Sequence, residues 1–483
     1  MSTWRRGAVT ALAGLGAAEA VAAGSRSRSL VDAAGQVVVD VGPLPLVELT
    51  VKLFKTADKP VIRAAVVATV VAGGGLLGRT PDRWLRSGVT AAAVASGVAI
   101  GRRRAATGAG TAEAAGVVRS AVAGLLTVLG VSALPPAALF PAALAGGAGL
   151  AASLRGQAAR RAGQDTISRS LTLDPGTALP PAVDGGEEWW GVSPLLTPVE
   201  DFYVTDVNMR PPVVDIDAWR LSVTGTVGES LTLSYDDLLD LPLVEFDATM
   251  VCIHNRLGWD RLGTARWTGI PLARLLAAAG PDPASAVLVT RAVDGWECSI
   301  ALRTLEQMSA YVVVGMDGRP LTAAHGFPAR VFVPGVYGQY TGAKWLSELR
   351  LQTLPNRDYW LPRGWSRGPV LVRPLSRIDT PADRGRVSAG PTDVLGVAWA
   401  PPGGVSAVQV AVGDEPWADA ELADELAPAA WRRWRIRVAL APGQHRLRAR
   451  CVAHDGTVQD DTLRPPFPTG ASGHHIITVN ADG

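Results

Sequence analysis

Cysteine, net charge and histidine are all scarce in this chain, and each shortage removes a class of protein. Only three of the 483 residues are cysteine: Cys252, Cys298 and Cys451. Three thiols cannot build a disulfide framework. A single Cys298–Cys451 bridge stays open but has no support in the sequence. The formal net charge is +2 and no basic block alternates with aromatic residues. Nucleic acid is therefore not an expected partner. The chain holds no Cys-x-x-Cys-His haem site, no Cys-x-x-Cys zinc pair and no His-Glu-x-x-His. It also lacks a Gly-x-Ser-x-Gly nucleophile elbow. Gly73, Gly74 and Gly75 lie in an apolar segment, not between a strand and a helix, so they form no phosphate loop. All six histidines fall at or after His254. The first half therefore has no histidine pair of the kind that grips a haem inside a membrane.

Apolar residues are abundant: 48% of the chain, with a mean hydropathy of +0.18. Residues 1–155 are mostly Ala, Val, Leu and Gly, with charge-free runs at 64–78, 87–101 and 120–154 and a shorter one before Glu19. Runs of this length are slightly short for a span, but flanking arginines can snorkel. Pro135-Pro136 should break the third run into a hairpin. A soluble Ala-rich bundle would need a charged outer face, which these runs lack. The expectation is about five transmembrane helices over 1–155, a multi-pass anchor in the cell membrane with lipid as partner. Arg5-Arg6 before an apolar stretch also fits an export signal, but further apolar runs follow. Arg5-Arg6 and five spans put the rest of the chain outside the cell, whereas Arg102-Arg103-Arg104 argue the reverse.

Residues 156–195 are polar and carry turn chemistry at Asp174-Pro175-Gly176 and Gly185-Gly186, as a linker does. Over 196–368 strands and short helices intermix, which predicts an α+β domain. Trp219–Gly225 alternates as a half-buried strand. Tyr235–Leu239 reads as a helix capped by Ser234, and Pro271–Ala279 as one stopped by Gly280. Over 369–483 the runs Val394–Trp399, Val405–Val412, Trp434–Leu440, His445–Val452 and Ile476–Val479 predict a β-sandwich.

Cys252 sits in Thr249-Met250-Val251-Cys252-Ile253-His254-Asn255-Arg256, directly after a strand-like run. A thiolate is a soft, electron-donating ligand suited to a redox-active metal. Arg256 can supply the positive charge that favours deprotonation and can grip a phosphate. The bland alternative is a small buried hydrophobe, and for Cys298 and Cys451 that is the expected role. Downstream lie His325-Gly326-Phe327-Pro328-Ala329-Arg330, Val333-Pro334-Gly335 and Lys344-Trp345. Together these resemble the molybdenum domain of the sulfite oxidase family, in which a Cys-x-x-Asn-Arg thiolate binds the metal of molybdopterin. The resemblance covers roughly 190–480. It implies that Cys252 ligates molybdenum and that Asn255, His325, Arg330, Gly342, Ala343 and Lys344 contact the cofactor. It also implies that the sandwich is the family's immunoglobulin-like dimerisation domain, which leaves a homodimer open.

Two segments depart from the family's pattern. The stretch Tyr203-Val204-Thr205-Asp206 matches a cofactor segment that usually carries Arg-Asn-His, so Thr205 replaces an anion-binding arginine. Near the expected active-site tyrosine, one register offers Trp365 and another Tyr359. Asp294-Gly295-Trp296 lies where bacterial members place a loop at the cofactor mouth, and is equally a plain hairpin turn. These substitutions on the substrate side argue against sulfite. The resemblance implies a two-electron oxygen-atom transfer on a small molecule, a sulfoxide reductase or a sulfite-oxidase-like oxidase, served by a separate electron-transfer partner. The alternative is a non-catalytic membrane scaffold built on a degenerate molybdopterin domain.

Overall fold

Side-chain alternation with a period of two explains most of the ordered chain. In Gly443–Ala453 the inward positions Leu447, Ala449, Cys451 and Ala453 are buried, while Arg446, Arg448 and Arg450 face outward. The computed structural model describes residues 3–24, 31–32, 34–36, 58–77, single positions between 120 and 148, and 171–483 apart from 175, 209, 355–357 and 359. Two compact units divide the chain. The first takes Met1–Thr166, Asp206–Val213 and Val293–Gly295; the second takes Ile167–Thr205, Val214–Ala292 and Trp296–Gly483.

In the first unit the helices Thr3–Gly24 and Asp58–Leu77 pack on each other. Among the described residues no helix is long and apolar enough to cross a membrane. The expected transmembrane helices and multi-pass membrane location are corrected accordingly. The charges supply the physical reason. Helix Asp58–Leu77 covers most of the 64–78 run, yet its first two turns hold Lys59 on Asp206 at 2.9 Å and Arg63 on Asp32 at 3.0 Å. Asp32 also takes Arg210 at 3.1 Å. Glu19 is fully buried and accepts the Val31 amide at 3.0 Å, a protein partner rather than hydrocarbon. The runs 87–101 and 120–154, with Pro135-Pro136 and Arg102-Arg103-Arg104, lie outside the described residues apart from single positions.

The second unit is built mostly of β-sheet. One sheet orders Leu231–Leu233, Leu221–Gly225, Leu346–Gln352, Val287–Ala292 and Glu297–Ala301, with the second and third strands parallel. Another pairs Val244–Val251 with Leu262–Pro271, then Tyr311–Met316, which also pairs Arg330–Phe332. Two short helices appear where the sequence predicts them. Tyr235–Leu239 has a full capping box between Ser234 and Asp237. Leu272–Ala279 ends at Gly280, which takes φ +61°.

After residue 369 two sheets face each other. One holds Leu375–Thr380, Gly390–Trp399, Arg432–Leu440 and Glu421–Leu422; the other holds Arg386–Ser388, His475–Asp482, Gly443–Ala453, Val405–Val412 and Ala418–Asp419. Trp434, Val408, Leu447 and Val479 fill the space between them, each fully buried. The cysteines are all free and buried, so no Cys298–Cys451 bridge exists.

Strand Val244–Val251 breaks the alternation and buries its last five residues on both faces. The sandwich covers its far side: the Thr249 amide donates to the Ala429 carbonyl at 2.9 Å, and the Trp431 amide donates to the Thr249 hydroxyl at 2.7 Å. Cys252 follows directly at the covered end of this strand.

Candidate functional site

The chain turns back after Cys252 and returns in strand Leu262–Pro271. The neck of this loop is closed by the Cys252 amide donating to the Arg261 carbonyl at 2.9 Å. Inside it, the Asn255 amide donates to the Cys252 carbonyl at 2.9 Å, and the Asn255 side-chain oxygen accepts the Arg261 amide at 3.0 Å. Asn255 is 4% exposed, so its amide is committed to shaping the loop. The Trp259 amide completes a turn on the Arg256 carbonyl at 3.0 Å.

Burial pushes the Cys252 thiol up, and the positive charge of Arg261 is the main opposing influence. Thr205 adds a smaller influence that lowers the thiol. His254 Nδ1 stands 3.8 Å from Sγ. Burial, then Arg261 and Arg256, hold this imidazole down at about 4, so it is neutral at physiological pH. Arg256 itself stacks over the Trp259 ring at 5.1 Å, and Arg261 lies 5.9 Å from the same centroid. The guanidinium facing the sulfur is therefore Arg261, a residue the motif reading passed over. Its only sequence signal is the Gly258-Trp259 turn that returns the chain towards Cys252.

A second cluster surrounds Arg330, at the start of strand Arg330–Phe332. The residue is 5% exposed and meets no carboxylate among the described residues. Nη1 donates to the His325 carbonyl at 3.2 Å and Nη2 reaches Met250 Sδ at 3.3 Å, while Nε has no partner among the described residues. Burial lowers this arginine to about 10. His325 donates from Nε2 to the Val199 carbonyl at 3.1 Å, and burial holds it at about 4. Lys344 gives Nζ to the Ala324 carbonyl at 3.2 Å and lies 4.6 Å from the Trp345 ring centroid. Gly326, at φ +110°, lets these stems converge: a Cβ there would meet Lys344 and Arg330 at 3.2 and 3.3 Å. Gly342 and Ala343 are packed, the first against Val331 and the second on the Thr290 hydroxyl at 3.0 Å.

Tyr203 joins the two clusters. Burial, then the Cys252 charge, push its phenol well above the ordinary value, with Arg330 and Arg261 opposing. Met250, two residues before Cys252, makes the same connection through Arg330. Val204 is exposed at the edge of this segment. Asp206 and Asp294 belong to the other unit, where Asp206 binds Lys59 and Asp294 accepts from Asn208.

An aromatic cluster packs on His254. The Trp365 ring lies 4.7 Å from His254, 6.1 Å from Trp360 and 4.9 Å from Phe467. Trp365 is 3% exposed and its indole N–H has no partner among the described residues. Tyr359 lies outside the described residues. Phe467 comes from the sandwich, about a hundred residues on, and no motif announced it.

Comparison with known proteins follows the same residues. Residues 208–360 match the family described as oxidoreductase molybdopterin binding domain. Mitochondrial sulfite oxidase of Homo sapiens is 31% identical over 320 residues, which cover 56% of this chain and 58% of that protein. The chain thus spans a little over half the length of that relative. Sulfite oxidase of Gallus gallus is 30% identical over 328 residues, covering 56% of this chain and 69% of the relative. The crystal structure of the sulfane dehydrogenase SoxCD from Paracoccus pantotrophus shares the fold, with TM-score 0.51 and 22% identity over 64% of this chain and 94% of that one.

Proposed function

Since the chain belongs to the sulfite oxidase family of molybdopterin-dependent oxidoreductases, we propose that Cys252 binds the molybdenum and that the centre reduces a small, uncharged sulfoxide rather than oxidising sulfite. The observation that carries this reading is Arg330. A buried guanidinium without a carboxylate is costly unless an anion neutralises it. It shares its surroundings with the Cys252 loop through Tyr203 and Met250. The residues therefore fit a phosphate-bearing pterin: Arg330, His325 and Lys344 would hold its anionic and polar edge, and Cys252 its metal.

When bound, the group supplies two-electron oxygen-atom exchange. The protein's own residues prepare the place for it. Arg261 and Thr205 steady the thiolate. Asn255 fixes the loop, and Trp431 with Ala429 locks the strand behind it. The cluster of His254, Trp360, Trp365 and Phe467 offers π faces to the organic groups on sulfur. The unpartnered indole N–H of Trp365 is a donor for a sulfoxide oxygen. Thr205 and this apolar cluster give an oxyanion no bidentate clamp.

The balance is one sulfoxide, two electrons and two protons to one thioether and water. The electrons come from a redox group outside these residues, on a partner protein or on a further domain. Metal analysis and a substrate screen test the reading. Stoichiometric molybdenum, lost or spectroscopically altered in Cys252→Ser, is expected, with sulfoxides turned over faster than N-oxides or sulfite. Sulfite as the best substrate would overturn the substrate assignment, and an unaltered centre in Cys252→Ser would overturn the ligand.

A further inference from the structure

The loop that carries Cys252 is gripped from outside as well as closed from within. Its tip, Gly258-Trp259, rests on the β-sandwich. Arg377, on strand Leu375–Thr380, is 9% exposed and commits its guanidinium to three acceptors. Nε donates to Asp379 at 2.6 Å, Nη1 to the Trp259 carbonyl at 2.9 Å and Nη2 to the Ser193 hydroxyl at 2.6 Å. The other Asp379 oxygen accepts the Ser193 amide at 2.9 Å, so the guanidinium has one orientation. His475, on strand His475–Asp482, is fixed in the same way: its Nδ1 accepts the Ile378 amide at 3.0 Å. Its Nε2 edge lies against Gly258, which takes φ +74° and where any Cβ would collide with the imidazole.

Simple docking of the sandwich does not require these contacts. Ala429 and Trp431 already bind strand Val244–Val251 directly. What Arg377 and His475 hold is the far end of the loop. Trp259 is the shared platform there: its ring carries Arg256 on one contact and Arg261 on another, at 5.1 and 5.9 Å. The neck of the loop stays closed whatever the tip does, because Cys252 and Arg261 are joined by their own backbone bond. A displaced tip would therefore leave Cys252 in place and move the ring on which both guanidiniums stack.

We propose that Arg377 and His475 are positioning residues for the metal centre, fixing Trp259 and Gly258 and, through them, the placement of Arg261 beside the Cys252 sulfur and of Arg256 on the same ring. The inference rests on Cys252 being the metal ligand. A sandwich that sets the electrostatics of the neighbouring domain's sulfur is more than a dimerisation or packing module.

The experiment uses purified holoprotein. Arg377→Met and Gly258→Ala loosen the contact from its two sides; Arg437→Met, which removes an exposed sandwich ion pair with Asp393, is the control for mere loss of stability. Four quantities are read: molybdenum content, the electron paramagnetic resonance spectrum of the partly reduced metal, kcat and KM separately, and hydrogen exchange of the peptide over 252–262. Arg377→Met and Gly258→Ala should retain molybdenum, shift the resonance spectrum, expose the peptide to exchange and lower kcat/KM about 10–100-fold, as loss of an outer contact does at other metal sites. Arg437→Met should match the parent in all four. If Arg377→Met proves too unstable to load metal, Gly258→Ala alone decides by the same criteria. A parental spectrum and parental kinetics in the variant that loads would overturn the positioning role and leave a packing contact. Cys252→Ser, measured beside them, separates the two claims: a parental spectrum there sinks the ligand assignment itself, whereas an altered one with Arg377→Met unchanged sinks only the positioning.

Discussion

At the residue scale, unusual partners matter more than residue types. Arg330 is a buried charge with no carboxylate partner among the described residues, and the proposed ligand would be what neutralises it. Replacing it by methionine should leave the cofactor-free protein as stable or more stable, by up to about 4 kcal/mol. The same variant should load molybdopterin about 10–100-fold more weakly, the loss of one charge-assisted contact. Denaturation of the cofactor-free protein and molybdenum content of the loaded protein check the two halves, and a large loss of stability would mean that Arg330 serves the core. Thr205 marks the opposite case, a missing cation beside the sulfur. Thr205→Arg should raise kcat/KM for sulfite relative to a sulfoxide by about tenfold or more, since it restores an anion donor. An unchanged ratio in competition assays would show that the substrate does not pass this residue.

At the element scale, the Cys252–Arg261 loop is a hairpin connection stabilised by one buried amide. Asn255 is the internal acceptor for the Arg261 amide. In Asn255→Ala that buried N–H loses its partner, at a cost of about 1–3 kcal/mol. Chemical denaturation should register that loss, and hydrogen exchange should rise over 252–262 while the sandwich strands stay protected. Equal loosening of Gly443–Ala453 would show that the loop is not an independent element. The strand before it, Val244–Val251, explains why local patterning fails here: it is buried on both faces because a second domain covers it.

At the scale of the whole molecule, acid is the weak direction. Burial holds His325 and His475 at about 4, below the ordinary value of 6.5. Above pH 6.5 both states are neutral and neither histidine changes stability. As the pH falls from 6.5 towards 4, the unfolded chain takes protons that the folded chain refuses, so stability is lost across that window. Each histidine accounts for on the order of 2–3 kcal/mol by pH 4. Urea midpoints should therefore fall from pH 7 to pH 4.5, and His475→Gln should flatten the fall. A midpoint constant over that range would mean that these imidazoles are solvated.

The sequence by itself determined the local features and the order of the motif residues. Ser234 and Gly280 mark the ends of their helices because a cap is satisfied within a turn. Leu447, Ala449 and Cys451 mark a half-buried strand because the side-chain period is intrinsic to the backbone. The order Cys252, Asn255, Arg256, His325, Arg330 was readable for the same reason: a motif is a list of residues. The tertiary structure decided what the list meant. Arg261 rather than Arg256 faces the sulfur because a turn at Gly258 folds the chain back. Arg377 and His475 reach the loop, and Phe467 reaches Trp365, from more than a hundred residues away, and no local pattern encodes such contacts. The two described N-terminal helices, over residues 3–24 and 58–77, fall short of spans although their runs are apolar, because hydrophobicity records only that a surface leaves water. Whether it then meets lipid or protein is settled by partners such as those of Glu19, Lys59 and Arg63.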